Sequence, residues 1–419
     1  MTFKFIHTAD IHLDSPLHRL EAYEGAPVEE IRQASRRAFE NLIDLAINEA
    51  VDFVLIAGDL FDGDWKDYNT GLYFIKQVRR LGEARIQVFI ISGNHDAAGK
   101  MTKTLPYPDN VHVFSTRKPE TKTLENPKVA VHGQSYSRVA VTDNLSREYP
   151  EPIPGHFNIG LLHTSLAGRV GHENYAPCSL DDLVNKGYDY WALGHVHQFE
   201  LVAKDPPVVF PGCIQGRHIR ESGAKGCVLV TAEAGTLPEI NRFDIDLIRW
   251  ERVNVDLEAV RSIDEALERF QAVLGAEIHR QDPKLVIARV VFTGETDLHA
   301  QIAADPELIK ESVRSTAITN FGDRAWIEKV KVRTKPLSRS VADPGPLREL
   351  GLLVDDLTSK DSDLLALGKE LSTLFQKLPP DYRQGDSRIQ PDDPDQMREL
   401  VEKAQALLVS KLMREAALS

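Results

Sequence analysis

The sequence is poor in cysteine and lacks long hydrophobic runs, and each shortage excludes a class of protein. Its three cysteines, Cys178, Cys213 and Cys227, show no C-x-x-C spacing, which argues against a disulfide framework or a cysteine-ligated zinc site. The longest apolar stretches have the length of a strand, well short of the ~18 residues that a membrane helix needs. Lys4 and Asp10 interrupt the one candidate leader, so we expect a cytoplasmic protein without a signal peptide or membrane span.

Net positive charge is the third shortage. The 50 lysines and arginines are outnumbered by 63 aspartates and glutamates, for a formal net charge of −13. Proteins that coat nucleic acid nonspecifically depend on lysine and arginine against phosphate. We therefore do not expect such a protein, although a local basic patch is compatible with the composition. The 419 residues exceed one ordinary core, which predicts two or three domains.

Short apolar runs recur from residue 3 to about 245, and this segment is the first predicted domain, 1–245. The runs are FKFIH, FVLIAG, VFIISG, KVAVHG, FNIGLLH, YWALGH, VVFPG and GCVLVT. Helical patterns at 29–50 and 68–82 lie between such runs, and this alternation is typical of an α/β sheet. Ligand sites in such sheets lie beyond the carboxyl ends of the strands.

Two further segments follow. Residues 246–336 alternate strand and helix, which predicts a small α/β domain of its own. Residues 346–419, after a Pro-Gly-Pro linker, are predicted to be helical. Apolar residues recur there at three- and four-residue steps, and they are Leu364, Leu367, Leu371, Leu374, Phe375 and Leu378, then Met397, Leu400, Val401, Ala404, Leu407, Leu408 and Leu412. The two amphipathic helices either pack within this chain or bind a partner.

Several predicted strands end in residues that commonly bind metals. In chain order these are Asp10 and His12, Asp59, Asn94 and His95, His163, and His195 and His197. One histidine at a strand end is usually a packed core residue. So many carboxylates and imidazoles at one sheet edge would be costly to desolvate without bound cations. Oxygen and imidazole ligands without thiolate favour manganese, iron or zinc over calcium. The set is too large for one open site, so we expect two ions that share a carboxylate.

The series D-x-H, G-D, G-N-H-D, H and G-H-x-H resembles the calcineurin-like metallophosphoesterase superfamily in order and spacing. TADIHLD and GDLFD resemble the SbcD-type nuclease subunit of the DNA double-strand-break repair complex. GHENYAPCS and the C-terminal helices resemble its YhaO-type branch. The resemblance implies a four-layer metallophosphoesterase sandwich over 1–245, a small α/β capping domain at 246–336, similar in layout only, and a helical partner-binding region at 346–419.

The resemblance also implies which residues hold the ions, for which we expect Mn²⁺. The first ion would be held by Asp10, His12, Asp59 and His197. The second would be held by Asp59, Asn94, His163 and His195. Asp59 is then the bridging carboxylate. Three further residues after His163 are candidate substrate contacts by resemblance: Arg169, His172 and Tyr175.

His95 has no metal to bind in this assignment. The resemblance implies that it faces the substrate, and an imidazole titrating near neutral pH is suited to protonating a departing sugar oxygen. Asp62 stands where archaeal and eukaryotic relatives carry a histidine. It either hydrogen-bonds His95 and raises the pKa of that imidazole or is a solvated loop acid. For Asp96 we expect a loop carboxylate bonded to backbone N–H groups.

Two basic stretches are candidate DNA contacts. Arg217 and Arg220 follow the strand end FPGC and are suited to bidentate phosphate contacts, the alternative being an ordinary surface loop. Lys331 and Arg333 alternate with apolar residues in AWIEKVKVRT, which puts them on one face of a strand. That face is either a stripe that binds the DNA backbone or a charged edge that prevents aggregation.

These patterns together predict a two-metal phosphodiesterase that acts on DNA ends as an exonuclease or endonuclease. The resemblance implies an SbcC-like SMC-type ATPase as partner, bound through the C-terminal helices, and homodimerisation is compatible with the sequence. One alternative is an enzyme of the same fold that acts on phosphoproteins or small nucleotides. The others are a regulatory subunit with a silent site and a DNA-binding module without chemistry. The additional domains count against an enzyme for small substrates. The complete ligand set counts against a silent site, and the acidic net charge counts against a DNA-binding module without chemistry.

Overall fold

The computed structural model of the protein describes residues 2–15, 27–63, 68–98, 106–166, 175–233, 236–281, 285–337, 346–377 and 391–416. By its internal contacts the chain divides into two units. The first comprises Met1–Arg252, Ile278–Arg289 and Asp323–Glu328, and the second comprises Val253–Glu277, Val290–Gly322 and Lys329–Ser419. The domain borders expected at residues 245 and 336 stay predictions. Within the described ranges, no helix has the length and apolar character needed to span a bilayer.

Two six-stranded sheets form the framework of the first unit. The first sheet contains, in spatial order, β12 (Glu239–Asp244), β11 (Gly226–Glu233), β1 (Thr2–Thr8), β2 (Phe53–Ala57), β3 (Gln87–Ile91) and β4 (Val111–Val113). The strands from β1 to β4 are parallel, whereas β11 and β12 pair antiparallel. The carboxyl ends of β1, β2 and β3 therefore meet at one edge of the sheet.

The second sheet likewise has four parallel strands. Its spatial order is β5 (Glu120–Glu125), β6 (Lys128–Gly133), β7 (Phe157–His163), β8 (Tyr190–Gly194), β10 (Pro207–Phe210) and β9 (Glu200–Lys204). The four inner strands are parallel, and the outer strands β5 and β9 pair antiparallel to their neighbours. β7 and β8 end next to each other, at His163 and Gly194.

Apolar faces hold these layers together. Phe5 of the first sheet meets Tyr190 of the second at 5.3 Å between ring centroids, inside an apolar cluster drawn from both sheets. Helices α1 (Val28–Asn48) and α2 (Asn69–Glu83) cover the other face of the first sheet. A short helix, α4 (Leu180–Val184), packs on the second sheet, where Leu183 accepts a hydrogen bond from Trp191. The order helix, sheet, sheet, helix confirms the predicted four-layer sandwich.

The remaining elements follow the predicted alternation. A three-stranded sheet has the order β13 (Ile248–Asp256), β14 (Leu285–Thr293) and β15 (Ala325–Val332). Its helices are α5 (Ile263–Gln281), α6 (His299–Ala304) and α7 (Pro306–Phe321). α7 begins where Pro306 fits the first turn and the Asp305 carboxylate accepts from the Leu308 amide at 3.1 Å.

The C-terminal segment is helical, as predicted. Its helices are α8 (Pro346–Ser359), α9 (Asp361–Glu370), α10 (Ser372–Gln376) and α11 (Pro394–Ala416). α11 packs against α6, α8 and α9. Leu364 and Met397 of the predicted stripes are buried, whereas other members are exposed, namely Leu374, Leu407, Leu408 and Leu412. Leu378 lies outside the described residues.

Candidate metal centre

Two groups of potential ligands meet where the strands end. In the first group, ligand atoms of Asp10, His12 and His197 lie within 4.8 Å of one another. His197 Nε2 is 3.3 Å from His12 Nε2 and 3.6 Å from Asp10 Oδ1. The sequence separates these residues by up to 187 positions, and the ends of β1 and β8, which contact each other from the two sheets through His7 and the Leu193 carbonyl, bring them together.

The second group consists of Asp59, His163 and His195, again within 4.8 Å of one another. Asn94 joins it through its Oδ1 atom, which is 3.1 Å from His163 Nε2. Asp59 Oδ2 lies 3.5 Å from His163 Nε2 and 4.0 Å from His12 Nε2. Asp59 therefore stands between the two groups, at the position that a bridging ligand would take.

The donor set fits bound cations. His163 Nδ1 donates to the Ala57 carbonyl at 2.9 Å, which leaves a lone pair on Nε2. That lone pair faces the Asn94 oxygen and the Asp59 carboxylate, so acceptor atoms converge. His197 Nδ1 donates to Glu221 Oε1 at 2.7 Å, and its Nε2 lone pair likewise faces His12 Nε2. A divalent ion bound in each group would relieve this repulsion.

The backbone at these ligands adopts an uncommon conformation. Asp10, His12 and Asp59 have φ values of 50°, 45° and 51°, in the left-handed region that side chains other than glycine rarely adopt. Each such residue costs of the order of 1–3 kcal/mol and persists where the surroundings hold it. Here the amides of Asp10 and His12 donate to the carbonyls of Gly58 and Asp59 at 3.0 Å. Hydrogen bonds between the β1 and β2 ends thus hold the ligands in place.

Two motif glycines let the strand ends approach each other. A Cβ atom on Gly93 would lie 2.3 Å from Asp59 Oδ1, and one on Gly194 would lie 1.9 Å from the Ala57 carbonyl oxygen. Neither contact is sterically allowed. The glycines of G-N-H and G-H-x-H are therefore required by packing around the ligands.

Neighbouring charged groups shift one another's pKa values in the centre. Burial alone would raise the pKa of the Asp59 carboxyl, but His163, His12 and His95 hold it below its usual value. Burial alone would lower the pKa of His163, but Asp59 raises it to about 9, so Nε2 would carry a proton in the absence of a cation and release it to bind one. The backbone amide of His195 donates to both oxygens of Asp10, at 3.2 and 3.0 Å. Asp59 is thus charged at neutral pH, whereas burial raises the pKa of the Asp10 carboxyl, which these two hydrogen bonds orient.

His95 lies beside the first group, and its ligand atom is within 4.8 Å of those of His12 and Asp62. Its Nδ1 atom lies 2.6 Å from Asp62 Oδ1, and its side chain is 40% exposed. The hydrogen bond to Asp62 is the main cause that raises the pKa of His95. Asp62, 18% exposed, also accepts from Ser15 Oγ at 2.5 Å. Of the two interpretations of Asp62, this geometry favours the hydrogen-bonding one.

Asp96 has the structural role predicted for it. Its carboxylate accepts from the backbone amides of Leu60, Phe61 and Gly93 at 3.2, 2.9 and 3.0 Å. Burial and the neighbouring Asp59 raise its pKa to about 7. The side chain thereby joins the β2 and β3 ends.

The basic candidates have different surroundings. Arg217 contacts two carboxylates, with Nη2 2.8 Å from Glu221 and Nη1 3.5 Å from Asp62. Arg220 is exposed in a 3-10 turn, Ile219–Glu221. The sequence interpretation missed Glu221, for which the only signal was its position four residues after Arg217.

Other candidates are placed as follows. In the second unit, Lys331 is half-buried in β15 and Arg333, just beyond it, is exposed. Since β15 is an edge of the described three-stranded sheet, both interpretations of this strand stay open. The centroids of the Tyr175 and His195 rings are 5.7 Å apart. Arg169 and His172 lie outside the described residues.

Comparisons with known proteins identify the family. Residues 3–199 match the calcineurin-like phosphoesterase family, and residues 250–335 match the middle domain of metallophosphoesterase YhaO. The metallophosphoesterase YhaO of Bacillus subtilis is 31% identical over 426 residues, which cover 97% of each chain.

DNA double-strand break repair proteins are also similar. The Mre11 protein of Sulfurisphaera tokodaii is 28% identical, over 62% of this chain and 67% of its own. That of Methanopyrus kandleri is 25% identical, over 84% of this chain and 75% of its own. The similarity to these repair proteins is thus weaker and less complete than that to YhaO.

Proposed function

The chain belongs to the YhaO-type calcineurin-like metallophosphoesterases and is a metal-dependent phosphodiesterase, and from this premise we propose that it hydrolyses DNA at or near ends. The observation that carries the chemistry is the pair of ligand groups joined by Asp59, with the half-exposed His95 beside them. The similarity to Mre11 repair proteins supports DNA as the substrate.

We assign the ligands as the family pattern implies. Asp10, His12, Asp59 and His197 would hold one divalent ion, and Asp59, Asn94, His163 and His195 the other. We propose Mn²⁺ for both, because borderline ions suit a mixed oxygen and imidazole set. Bound ions supply charge neutralisation and Lewis-acid activation of the phosphate.

His95 is the proposed proton donor to the departing sugar oxygen. Asp62 engages Nδ1, so Nε2 is the ring atom left for the substrate. The raised pKa keeps the ring protonated closer to neutral pH. The 40% exposure of its side chain leaves room for a substrate to approach. Asp62 orients the ring and stabilises its charged form.

Substrate and partner contacts extend the proposal beyond the metal centre. Arg220, Lys331 and Arg333 are proposed DNA-backbone contacts. The exposed leucines of α10 and α11 are proposed to bind an SbcC-like SMC-type ATPase, because helix-in-groove contacts use apolar anchors at this spacing. Homodimerisation is compatible with this arrangement.

Hydrolysis tests the proposal. Purified full-length protein with Mn²⁺ is expected to cleave labelled single- or double-stranded DNA and bis-p-nitrophenyl phosphate, and to lose both activities in excess chelator. Asp59→Asn is expected to abolish both activities together with bound metal. Hydrolysis of bis-p-nitrophenyl phosphate without any DNA cleavage would contradict the DNA substrate alone. Undiminished hydrolysis in chelator would contradict the metal assignment.

A further inference from the structure

An ion pair behind the metal ligands connects them to His95. The side chain of Glu221 is 6% exposed, and its Oε1 atom accepts a hydrogen bond from His197 Nδ1 at 2.7 Å. Arg217 holds the same carboxylate in a fork, with Nη2 2.8 Å from Oε1 and Nε 3.3 Å from Oε2. The Arg217 amide adds a hydrogen bond to Oε2 at 2.8 Å. Glu221 is therefore fully engaged by its neighbours.

Arg217 continues the connection to the proposed proton donor. Its Nη1 atom lies 3.5 Å from Asp62 Oδ2, and the other oxygen of Asp62 lies 2.6 Å from His95 Nδ1. The side chains His197, Glu221, Arg217, Asp62 and His95 thus form an unbroken series of polar contacts. The series starts at a proposed metal ligand and ends at the residue expected to face the substrate.

This geometry leaves Arg217 poorly suited to contact DNA. Its side chain is only 19% exposed, and the donor atoms that would grip a phosphate already face two carboxylates. Glu221 is 6% exposed and paired with Arg217, so losing Arg217 would leave the carboxylate buried without its main counter-charge.

We propose that Glu221 and Arg217 are positioning residues of the metal centre. Glu221 fixes the proton of His197 on Nδ1 and so turns the Nε2 lone pair toward the ion. Arg217 holds Glu221 and Asp62 at a fixed separation, which keeps the His95 ring in place relative to the ligands. This inference rests on the proposed metal assignment and adds the residues that enforce it.

Metal affinity tests the role of Glu221. Calorimetric titration of metal-stripped full-length protein with Mn²⁺ measures each site directly. Glu221→Gln is expected to weaken one of the two sites by about 10- to 100-fold, the usual effect of removing a partner that orients a ligand. Two sites of native affinity in Glu221→Gln would overturn the proposal. Wild-type protein that binds no Mn²⁺ would instead contradict the underlying metal assignment, so the two failures are distinguishable.

A matched variant controls for the loss of a buried ion pair. Glu328 holds Arg289 in the same forked manner, at 2.8 and 2.6 Å, and its side chain is 11% exposed. Glu328→Gln is expected to retain native Mn²⁺ affinity. Its melting temperature shows how far removal of such a pair alone destabilises the protein. An equal loss of Mn²⁺ affinity in both variants would overturn the specific role of Glu221.

Arg217→Gln separates positioning from phosphate contact. With bis-p-nitrophenyl phosphate, kcat is expected to fall by about tenfold or more at nearly constant KM, because the site is misaligned. DNA binding in chelator, and its dependence on salt, are expected to stay native. Native kcat together with a salt dependence flattened by about one unit would show that Arg217 contacts phosphate and would overturn the proposal.

Discussion

Residues adjacent in the sequence have different tasks in the proposed site, and helical geometry separates them. Asn94 and His95 open α3 (Asn94–Ala98), where successive side chains diverge by about 100°. Asn94 Oδ1 therefore faces His163 Nε2 at 3.1 Å, whereas the His95 ring meets Asp62 at 2.6 Å. A metal ligand and a proton donor can for this reason occupy consecutive positions.

His95→Asn tests this division of tasks. The variant is expected to bind two Mn²⁺ ions, because His95 is not an assigned ligand. Its turnover of labelled DNA is expected to fall by ~10² or more, the usual contribution of a proton donor, whereas turnover of bis-p-nitrophenyl phosphate, whose leaving group departs as an anion, is expected to fall less. Metal content and kcat are measured on the same preparation. A loss of metal in proportion to activity would show that His95 is itself a ligand.

Asp62→Asn tests the hydrogen bond that raises the pKa of His95. A general acid works only while protonated, so activity falls as pH rises through its pKa. Without the carboxylate that pKa is lower, and the alkaline fall in kcat is expected at lower pH than in the wild type. Glu151→Gln, at a carboxylate that is 88% exposed, serves as control with a native profile. An unshifted alkaline limb in Asp62→Asn would assign that limb to another group.

The sequence was informative about residues that directly follow strands. Asp10, Asp59 and Asn94 each come just after a parallel strand, so the sheet alone brings them to one edge. Glu221 was missed because it reaches His197 across 24 residues from a 3-10 turn. Neither helical nor strand periodicity marks such a contact.

At the scale of elements, the sequence predicted the inner strands of the two sheets but not the outer ones. The apolar runs of the sequence correspond to inner strands of the two sheets, which are buried on both faces and so consist largely of apolar residues. The strands that were not predicted, β4, β5, β9 and β12, are the outermost ones. Their residues are half-buried or exposed, so their composition resembles that of a loop. Hydrogen bonding to a neighbour, rather than burial, makes them strands.

The edge position of β15 leaves two roles for its cations, and salt dependence distinguishes them. Lys331→Ser with Arg333→Ser is expected to weaken DNA binding and to reduce the salt slope by about one unit for each lost phosphate contact. Lys310→Ser with Arg314→Ser removes two cations of α7 that pair with Glu307 and Glu311, and serves as control. Equal slopes in both double variants, with more aggregation in the first, would favour edge protection.

At the scale of the whole molecule, the C-terminal helices are only partly covered by their own chain. Leu364 and Met397 are fully buried, and α11 packs on α6, α8 and α9. Leu352 and Leu353 of α8 are 58% and 70% exposed, and further leucines of α10 and α11 are also exposed. One side of each stripe thus serves internal packing, and the other leaves apolar surface for a partner.

Partner binding tests this division of the helices. Truncation after Arg339 is expected to abolish co-purification with an SbcC-like ATPase of the same genome while hydrolysis of bis-p-nitrophenyl phosphate continues. Truncation also removes the contacts of α11 with α6, so a milder change is needed. Leu408→Glu with Leu412→Glu alters side chains that are 44% and 43% exposed and leaves the buried contacts in place.

The double variant is expected to bind the ATPase at least ~100-fold more weakly, because each buried leucine contributes about 2 kcal/mol and a charge cannot replace it. Leu308→Glu with Ile318→Glu, on α7 and 54% and 69% exposed, adds the same charges elsewhere and is expected to bind at full strength. The Kd of each purified variant for the ATPase measures the difference. Full-strength binding by Leu408→Glu with Leu412→Glu would exclude the exposed face of α11 as the contact and weaken the assignment of this chain as a subunit.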